Sequence, residues 1–464
     1  MTTAISPALA PAPEAGTSIY NRVFWLAYLA NVSLVSANAL TFRFAEFISF
    51  LGGTEQVAGT VVGAGVAGAL LARLFIGQGI DHYGTRRLWL GGGVVYLVAC
   101  GTFVALSAGW GSATSTAAGS GVTWPVYAAR VGFAVSIAAM FTCSIVHIQN
   151  LVPAGRRTEI IGNLGSSGFI GMVVGTQAGD LIFRLLPGGQ PQFIALFGGT
   201  AALGVLYVAL VYIITRKDQH IRPPCTPPAH RLLFRYWPGP VVLVAAMMGI
   251  GIAVTTVFLT RFATHLGVQN GVGTFFTAYA LSAFLFRVSA SKWSRTIGRH
   301  KMILLGLAGH IVGFVLLPFV RTEWHFIVPA IANGFGHALL FPAVVSLGSG
   351  AFPREFRGTG TTLVLGFLDM GTALSAPVLG GVIDAYGGAG FAEMFWVAAV
   401  TAGVITVFYA ATAARHVDED VLRARAEAAA LAAPPIAFRD VTAAPSQPSD
   451  EPVAVPFPHV GRSA

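Results

Sequence analysis

Long apolar stretches recur along almost the whole chain and constrain its fold more than any other feature. Each stretch has about twenty residues, which is what an α-helix rising 1.5 Å per residue needs to cross about 30 Å of hydrocarbon. The sequence lacks the short segments of alternating hydrophobicity that are typical of membrane β-barrels. We therefore expect an all-α polytopic membrane protein.

The composition supports a protein that is dissolved in lipid. Of the 464 residues, 55% are hydrophobic and only 10% are charged, which is more apolar surface than one soluble core can bury. The formal net charge is +9, but the basic residues lie between the apolar stretches, so no nucleic acid is expected as a partner. The three cysteines lack metal-ligand spacing, and no metal or cofactor is expected.

Twelve apolar stretches are long enough to span a bilayer, which places both termini on one side. The pairs Arg86/Arg87 and Arg156/Arg157 and the basic run within 216–235 fall on alternate loops. By the positive-inside rule, both termini are expected in the cytoplasm and the protein in the inner or plasma membrane. The predicted spans are 23–42, 57–80, 88–107, 125–148, 159–181, 193–214, 238–260, 272–291, 302–319, 326–349, 360–383 and 391–413.

The spans divide six and six around a loop that is rich in charge and proline. This central cytoplasmic loop, 216–237, separates a bundle of residues 21–215 from a bundle of residues 238–415. The N-terminus, 1–20, is expected to be disordered, as is most of the Ala- and Pro-rich tail, 416–464. Carriers built from two such halves hold their solute between them near the midplane.

An internal echo relates the two halves. Arg73 precedes Gly84 by eleven residues, and Arg287 precedes Gly298 by the same interval. A weaker echo pairs Pro153, Arg157 and Gly171 with Pro353, Arg357 and Gly371.

The loop between the second and third spans carries the most specific motif. Its sequence, Gly77-Gln-Gly-Ile-Asp81-His-Tyr-Gly84-Thr-Arg86-Arg87, resembles the signature loop of the major facilitator superfamily (MFS). Together with the six-plus-six spans, the resemblance covers about residues 20–415. It implies a transporter of two six-helix bundles and says nothing about the substrate. We also expect a monomer.

The residues of this loop suggest a gate. Gly77 permits close helix packing, and Gly84 allows a tight turn between antiparallel helices. The resemblance implies that the Asp81 carboxylate meets the positive end of span eleven, near 358–361, and latches the inside closed. Arg73, about two turns earlier, is expected to help hold that carboxylate.

Arg86 and Arg87 complete the predicted gating motif, although setting the membrane topology would by itself explain them. The second copy of the motif has Arg295 where the first has Asp81. Only one latch of this type is therefore expected.

Two departures from family patterns limit the substrate assignment. Span five resembles the glycine-rich antiporter motif of drug exporters, but Thr176 replaces its proline and Asp180 its last glycine. In span four, Arg130 resembles the characteristic arginine of the family, but Ala134 stands where a glycine is expected. The change in span five weakens an assignment as a drug/proton antiporter, and the match in span four is partial.

Polar residues inside the spans are candidates for the solute site, because a charge near the bilayer centre is costly. The resemblance implies a cavity lined by the first, fourth, seventh and tenth spans. Arg130 suits an anionic solute group, or it stabilises a helix end. His337 suits solute binding or proton relay, or it makes an interhelical hydrogen bond. The substrate-binding candidates are Asn31, Asn38, Arg130, Gln177, Asn333 and His337.

Asp369 is the one clear carboxylate deep within a span, which makes it the candidate for proton coupling. The alternative for Asp369 is a hydroxyl partner such as Thr372. His310 lies in the ninth span, where a structural role is expected.

The sequence thus predicts a secondary active transporter, a symporter or antiporter, that moves a small solute by alternating access. Its expected partners are the solute, membrane lipid and protons. A non-transporting sensor that uses the same fold and signals through the tail is the alternative. An enzyme is not expected, since no catalytic pair is evident.

Overall fold

The computed structural model describes residues 20–53, 55–109, 123–216, 218, 226–268, 271–387 and 389–413, and over these residues it contains helices and no strands. The predicted all-α fold class is confirmed. The twelve long helices are α1 (Arg22–Leu40), α2 (Glu55–Tyr83), α3 (Thr85–Ser107), α4 (Trp124–Asn150), α5 (Arg157–Leu185), α6 (Gln190–Ile214), α7 (Val241–Ala253, continued through a π-helical turn, Val254–Phe258, to Leu259–His265), α8 (Gly271–Ser289), α9 (Arg299–Leu316), α10 (Ile327–Gly350), α11 (Arg357–Ala385) and α12 (Phe391–Thr412).

Each predicted span coincides with one of these helices. Eleven of the twelve are long and apolar enough to cross a membrane. The remaining helix, α5, has 29 residues but carries charged residues at both ends. The chain is therefore a multi-pass membrane protein. The predicted tails, 1–20 and 416–464, lie outside the described residues except for Tyr20.

Helices of the same half pack mainly on one another. In the first half α1 packs on α5 and α6, and α4 packs on α2 and α3. In the second half α7 packs on α11, and α10 packs on α8 and α9. The halves meet along two seams, α2 with α11 on one side and α5 with α8 and α10 on the other.

Small residues allow the same helix crossing in both halves. A Cβ atom added at Gly171 of α5 would lie 2.7 Å from the carbonyl oxygen of Val32 in α1. A Cβ atom at Gly371 of α11, 200 residues later, would overlap the carbonyl oxygen of Ala246 in α7. Helix backbones that approach this closely are typical of small-residue contacts in membranes. The weaker sequence echo therefore corresponds to a repeated packing contact.

The two copies of the loop motif share one backbone turn. Gly84 precedes α3 with φ +88°, and Gly298 precedes α9 with φ +89°. Both values lie in the region that favours glycine. The interval from Arg73 to Gly84 and from Arg287 to Gly298 therefore marks equivalent positions in the two halves.

Candidate functional site

Asp81 joins the two halves at one end of the protein, which we call the Asp81 end. Its carboxylate is buried and accepts from the backbone amide of Gly358 at 2.8 Å and from that of Thr359 at 2.9 Å. The hydroxyl of Thr359 donates a third bond at 2.5 Å. These amides belong to the first turn of α11, where N–H groups lack partners within the helix and the dipole favours an anion. The contact is the one that the loop motif predicts, and its gating role stays a prediction.

Glycines allow this approach from both sides. A Cβ atom at Gly77 would lie 2.6 Å from the Cα atom of Thr359, and one at Gly358 would overlap the Asp81 carboxylate. Any side chain at either position would push α2 away from α11. The absence of side chains at Gly77 and Gly358 thus lets the Asp81 carboxylate reach the backbone of α11.

Arg73 binds a different carboxylate from the one that we expected. Its Nε atom lies 2.5 Å from Oδ2 of Asp369 in α11, and its Nη1 atom lies 3.4 Å from the Thr142 hydroxyl in α4. The expectation that Arg73 helps to hold Asp81 is wrong, because eight residues of continuous helix, about 12 Å, separate the two along α2. The side chains of Arg73 and Asp369 are 10% and 25% exposed, so the pair is shielded but accessible.

The hydroxyl partner suggested for Asp369 is engaged elsewhere. The Thr372 hydroxyl donates to the carbonyl oxygens of Gly249 at 3.0 Å and Leu368 at 3.3 Å. Asp369 therefore pairs with Arg73 of the other half rather than with Thr372 of its own helix.

The second copy of the loop motif makes a latch with its charges exchanged. Arg295, at the position equivalent to Asp81, lies 3.3 Å from Oε2 of Glu159 in the first turn of α5. The Glu159 side chain is 1% exposed and also pairs with Arg156 at 3.1 Å. Glu159 stands 200 residues before Thr359, the hydroxyl partner of Asp81. We expected only one latch of the Asp81 type, and the second copy supplies an ion pair instead.

Tyr20 extends this second latch to the start of the first half. Its hydroxyl donates to Glu159 at 2.8 Å. Burial, together with the hydrogen bond to the Glu159 carboxylate, raises the pKa of Tyr20 to about 12. The phenol therefore remains a donor at physiological pH.

A third set of polar contacts at the Asp81 end links α4 to the second half. The Gln149 amide donates to the Thr361 hydroxyl at 2.9 Å and accepts from the Ser349 hydroxyl at 3.2 Å. Arg357 donates to the Asn150 amide oxygen at 2.8 Å. The sequence does not point to Gln149 and Asn150, because a polar pair at the end of a span is also typical of an ordinary loop boundary. These polar contacts join the two halves at the Asp81 end.

The predicted site residue His337 belongs to a group of aromatic rings around Arg287, which we call the Arg287 cluster. The guanidinium of Arg287 lies 5.1 Å from the ring centroid of Phe169 and 5.5 Å from that of Phe341. The His337 ring stacks on Phe341 at 5.9 Å and meets the edges of Phe169 and Tyr279 at 5.9 and 6.0 Å. Phe169 comes from α5, so the cluster spans both halves.

Arg130 lies within the first half, at the opposite end of α4 from Gln149. Its guanidinium carbon lies 4.7 Å from the ring centroid of Phe44 and 5.7 Å from that of Phe133. The buried Nε and Nη1 atoms have no hydrogen-bond partner among the described residues. Contact with rings offsets part of the cost of a buried cation. The structure does not bring Arg130 together with His337 in one cluster.

Two of the predicted substrate-binding residues make buried contacts between helices. The Asn31 amide is buried and donates to the Ser167 hydroxyl of α5 at 3.0 Å. Asn333 is fully buried, lies 2.8 Å from the ring of His310 and donates to the carbonyl oxygen of Pro329 at 3.0 Å. Buried amides in membrane helices are often satisfied in this way. Asn333 thus joins α10 to His310 of α9. Asn38 is half-buried and Gln177 is exposed.

Comparisons with known proteins agree with this fold. A sequence profile of the Major Facilitator Superfamily matches residues 241–448. An uncharacterized MFS-type transporter of Burkholderia mallei is 25% identical over 362 residues, covering 76% of this chain and 82% of that protein. The human organic anion transporter MFSD10 aligns with a TM-score of 0.68 at 13% identity, over 84% of this chain and 99% of that one. The MFS transporter FucP in its outward conformation aligns with a TM-score of 0.63 at 15% identity, over 84% and 99%.

Proposed function

Because this chain belongs to the major facilitator superfamily, we propose that it is a secondary transporter that moves a small solute by alternating access and couples the movement to protons at Asp369. The observation that carries the proposal is the ion pair between Arg73 of α2 and Asp369 of α11. This pair joins the two halves, contains a group that can be protonated, and is partly accessible.

The Asp81 end is the cytoplasmic end in this proposal. Support comes from the basic loops at that end, which the positive-inside rule assigns to the cytoplasm together with both termini. The polar contacts described above then close the cytoplasmic side, and a solute enters from the other side of the cell membrane. The moving bodies are the bundles 21–215 and 238–415, joined by the loop 216–237.

Protonation of Asp369 is the proposed trigger for opening the Asp81 end. A neutral carboxyl group loses its charge attraction to Arg73 and one of its acceptor oxygens, so the seam between α2 and α11 weakens. Acidification therefore favours the open state, and a rise in pH favours the closed state. Removing the charge of one partner of a shielded ion pair typically costs about 3 kcal/mol. This is enough to shift the ratio of open to closed protein by about a hundredfold.

Spin-label distances across the Asp81 end test this trigger. Labels at Tyr83 and Arg354, both exposed, are placed in a variant whose three cysteines are replaced by serine. A longer distance is expected to appear as the pH is lowered in the parent and to be present at every pH in Asp369→Asn. Asp384→Asn, an exposed position on the same helix, is the control and is expected to behave like the parent. Unchanged distances in Asp369→Asn would reject the coupling role.

A further inference from the structure

Two equivalent arginines, one in each half, have different partners in the other half. Arg73 and Arg287 each precede a motif glycine by eleven residues. Gly171 and Gly371 make the same helix crossing, so α5 and α11 correspond with an offset of 200 residues. Arg73 reaches across its seam to Asp369, whereas Arg287 reaches across its own seam to Phe169. Phe169 lies 200 residues before Asp369, so it stands where the first half would supply a carboxylate to Arg287.

Arg287 is therefore a buried cation without a carboxylate among the described residues. Its side chain is 3% exposed, and its Nε atom has no hydrogen-bond partner within that part of the chain. Its Nη2 atom donates to the carbonyl oxygen of His337 at 2.9 Å. A guanidinium keeps its charge in proteins, so the site holds a desolvated positive charge and free donor capacity.

The surroundings of Arg287 favour a ligand with a flat apolar body. Phe169 and Phe341 present their rings to the guanidinium, and the rings of Tyr279 and His337 pack against Phe169. Tyr279 and His337 are half-buried, and both contact Phe169 of the other half. A ligand bound there touches both moving bodies.

We propose that Arg287 binds the carboxylate of a monoanionic solute whose aromatic body packs among the rings of the Arg287 cluster. The carboxylate of the solute takes the place on Arg287 that Asp369 takes on Arg73. The planar fork of donors on arginine matches a carboxylate. The inference names the substrate class of the transporter proposed above and rests on that function.

Thermal unfolding of the purified full chain tests the proposal with benzoate and 1-naphthoate, each compared with its neutral amide. A ligand that binds only the folded state raises the Tm with concentration. The two carboxylates are expected to raise the Tm of the parent and the two amides to leave it unchanged. In Arg287→Gln the half-saturating concentration is expected to rise by about tenfold to a hundredfold, as for loss of a charged hydrogen bond. Arg261→Gln, an exposed arginine of the same half, is the control.

A second variant keeps the test valid if Arg287→Gln does not fold. Phe169→Asp installs the carboxylate that the equivalent position already has. It is expected to raise the Tm without ligand relative to Phe169→Asn and to abolish stabilisation by both carboxylates. Phe169→Asn removes the ring without adding charge and is expected to keep weakened binding.

Three results would overturn the assignment: equal stabilisation by acids and amides, no stabilisation by any of the four probes, or full carboxylate binding in Phe169→Asp. The distance measurement at Tyr83 and Arg354 uses no solute and separates the two proposals. Opening on acidification without carboxylate binding would reject only the substrate class. Carboxylate binding without such opening would reject only the transport cycle.

Discussion

At the scale of single residues, the Asp81 carboxylate of the first half is held by the second half. Both of its oxygens are engaged by three donors from the first turn of α11, and glycines on each side admit it. The loop motif predicts this contact because it fixes a carboxylate next to a tight turn. The sequence could not identify the partner of Arg73, because 296 residues separate Arg73 from Asp369 and other carboxylates lie nearer in the sequence.

Replacing Asp81 by alanine is expected to favour the open state at the Asp81 end. Hydrogen bonds to a charged group contribute about 1.5 to 3 kcal/mol each, so the loss corresponds to a population shift of about tenfold or more. Labels at Tyr83 and Arg354 measure the shift, and transport of a solute, once one is known, should fall while membrane insertion is unaffected. Asp384→Ala is the matched control. Parent-like distances in Asp81→Ala would exclude the latch.

At the scale of helices, the repeated crossings of α1 with α5 and of α7 with α11 make each half a compact unit. Gly171 and Gly371 occupy equivalent places in these crossings. The sequence predicted the helices well because span length and polarity are local properties. It did not predict that Asn31 would bond across the crossing of α1 with α5 or that Asn333 would contact His310 of α9, because a polar residue inside a span looks the same whether it faces a cavity or a neighbouring helix.

One substitution tests the crossing of α1 with α5. A Cβ atom at Gly175 would overlap the carbonyl oxygen of Ser36, and a backbone atom cannot rotate away. Gly175→Ala is therefore expected to destabilise the protein by about 1 to 3 kcal/mol, the usual cost of overpacking. Gly179→Ala lies one turn later, where the nearest atom is a Leu40 methyl carbon at 3.8 Å, and should be nearly neutral. Equal Tm values for the two variants would show that the crossing is looser than described.

The exchanged latch between Arg295 and Glu159 belongs to the same scale. Glu159→Gln is expected to favour opening at the Asp81 end and to add to the effect of Asp81→Asn, because the two latches close different seams. Glu46→Gln removes an exposed ion pair with Arg43 and should change little. Labels at Tyr83 and Arg354 again report the result. An effect of Glu159→Gln no larger than that of Glu46→Gln would mean that the second copy of the motif closes nothing.

At the scale of the whole molecule, the two halves meet at the Asp81 end and along two seams. The apolar stretches of the sequence predicted twelve spans, and the loop between the second and third spans predicted the family. The sequence did not predict the pairing of Arg287 with Phe169 or the ion pair of Arg295 with Glu159. Both depend on which helices of opposite halves become neighbours, and the spacing of residues within one half contains no information on that. The internal repeat becomes informative only when the seams are known.

Distances at both ends of one protein test alternating access most directly. A second label pair at Leu185 and Tyr386, exposed positions at the far ends of α5 and α11, reports the end opposite Asp81. On acidification the distance between Tyr83 and Arg354 is expected to lengthen while that between Leu185 and Tyr386 shortens, because the halves rock about a site between them. If both distances lengthen together, or if neither changes, the two halves do not alternate and the proposed transport cycle is contradicted.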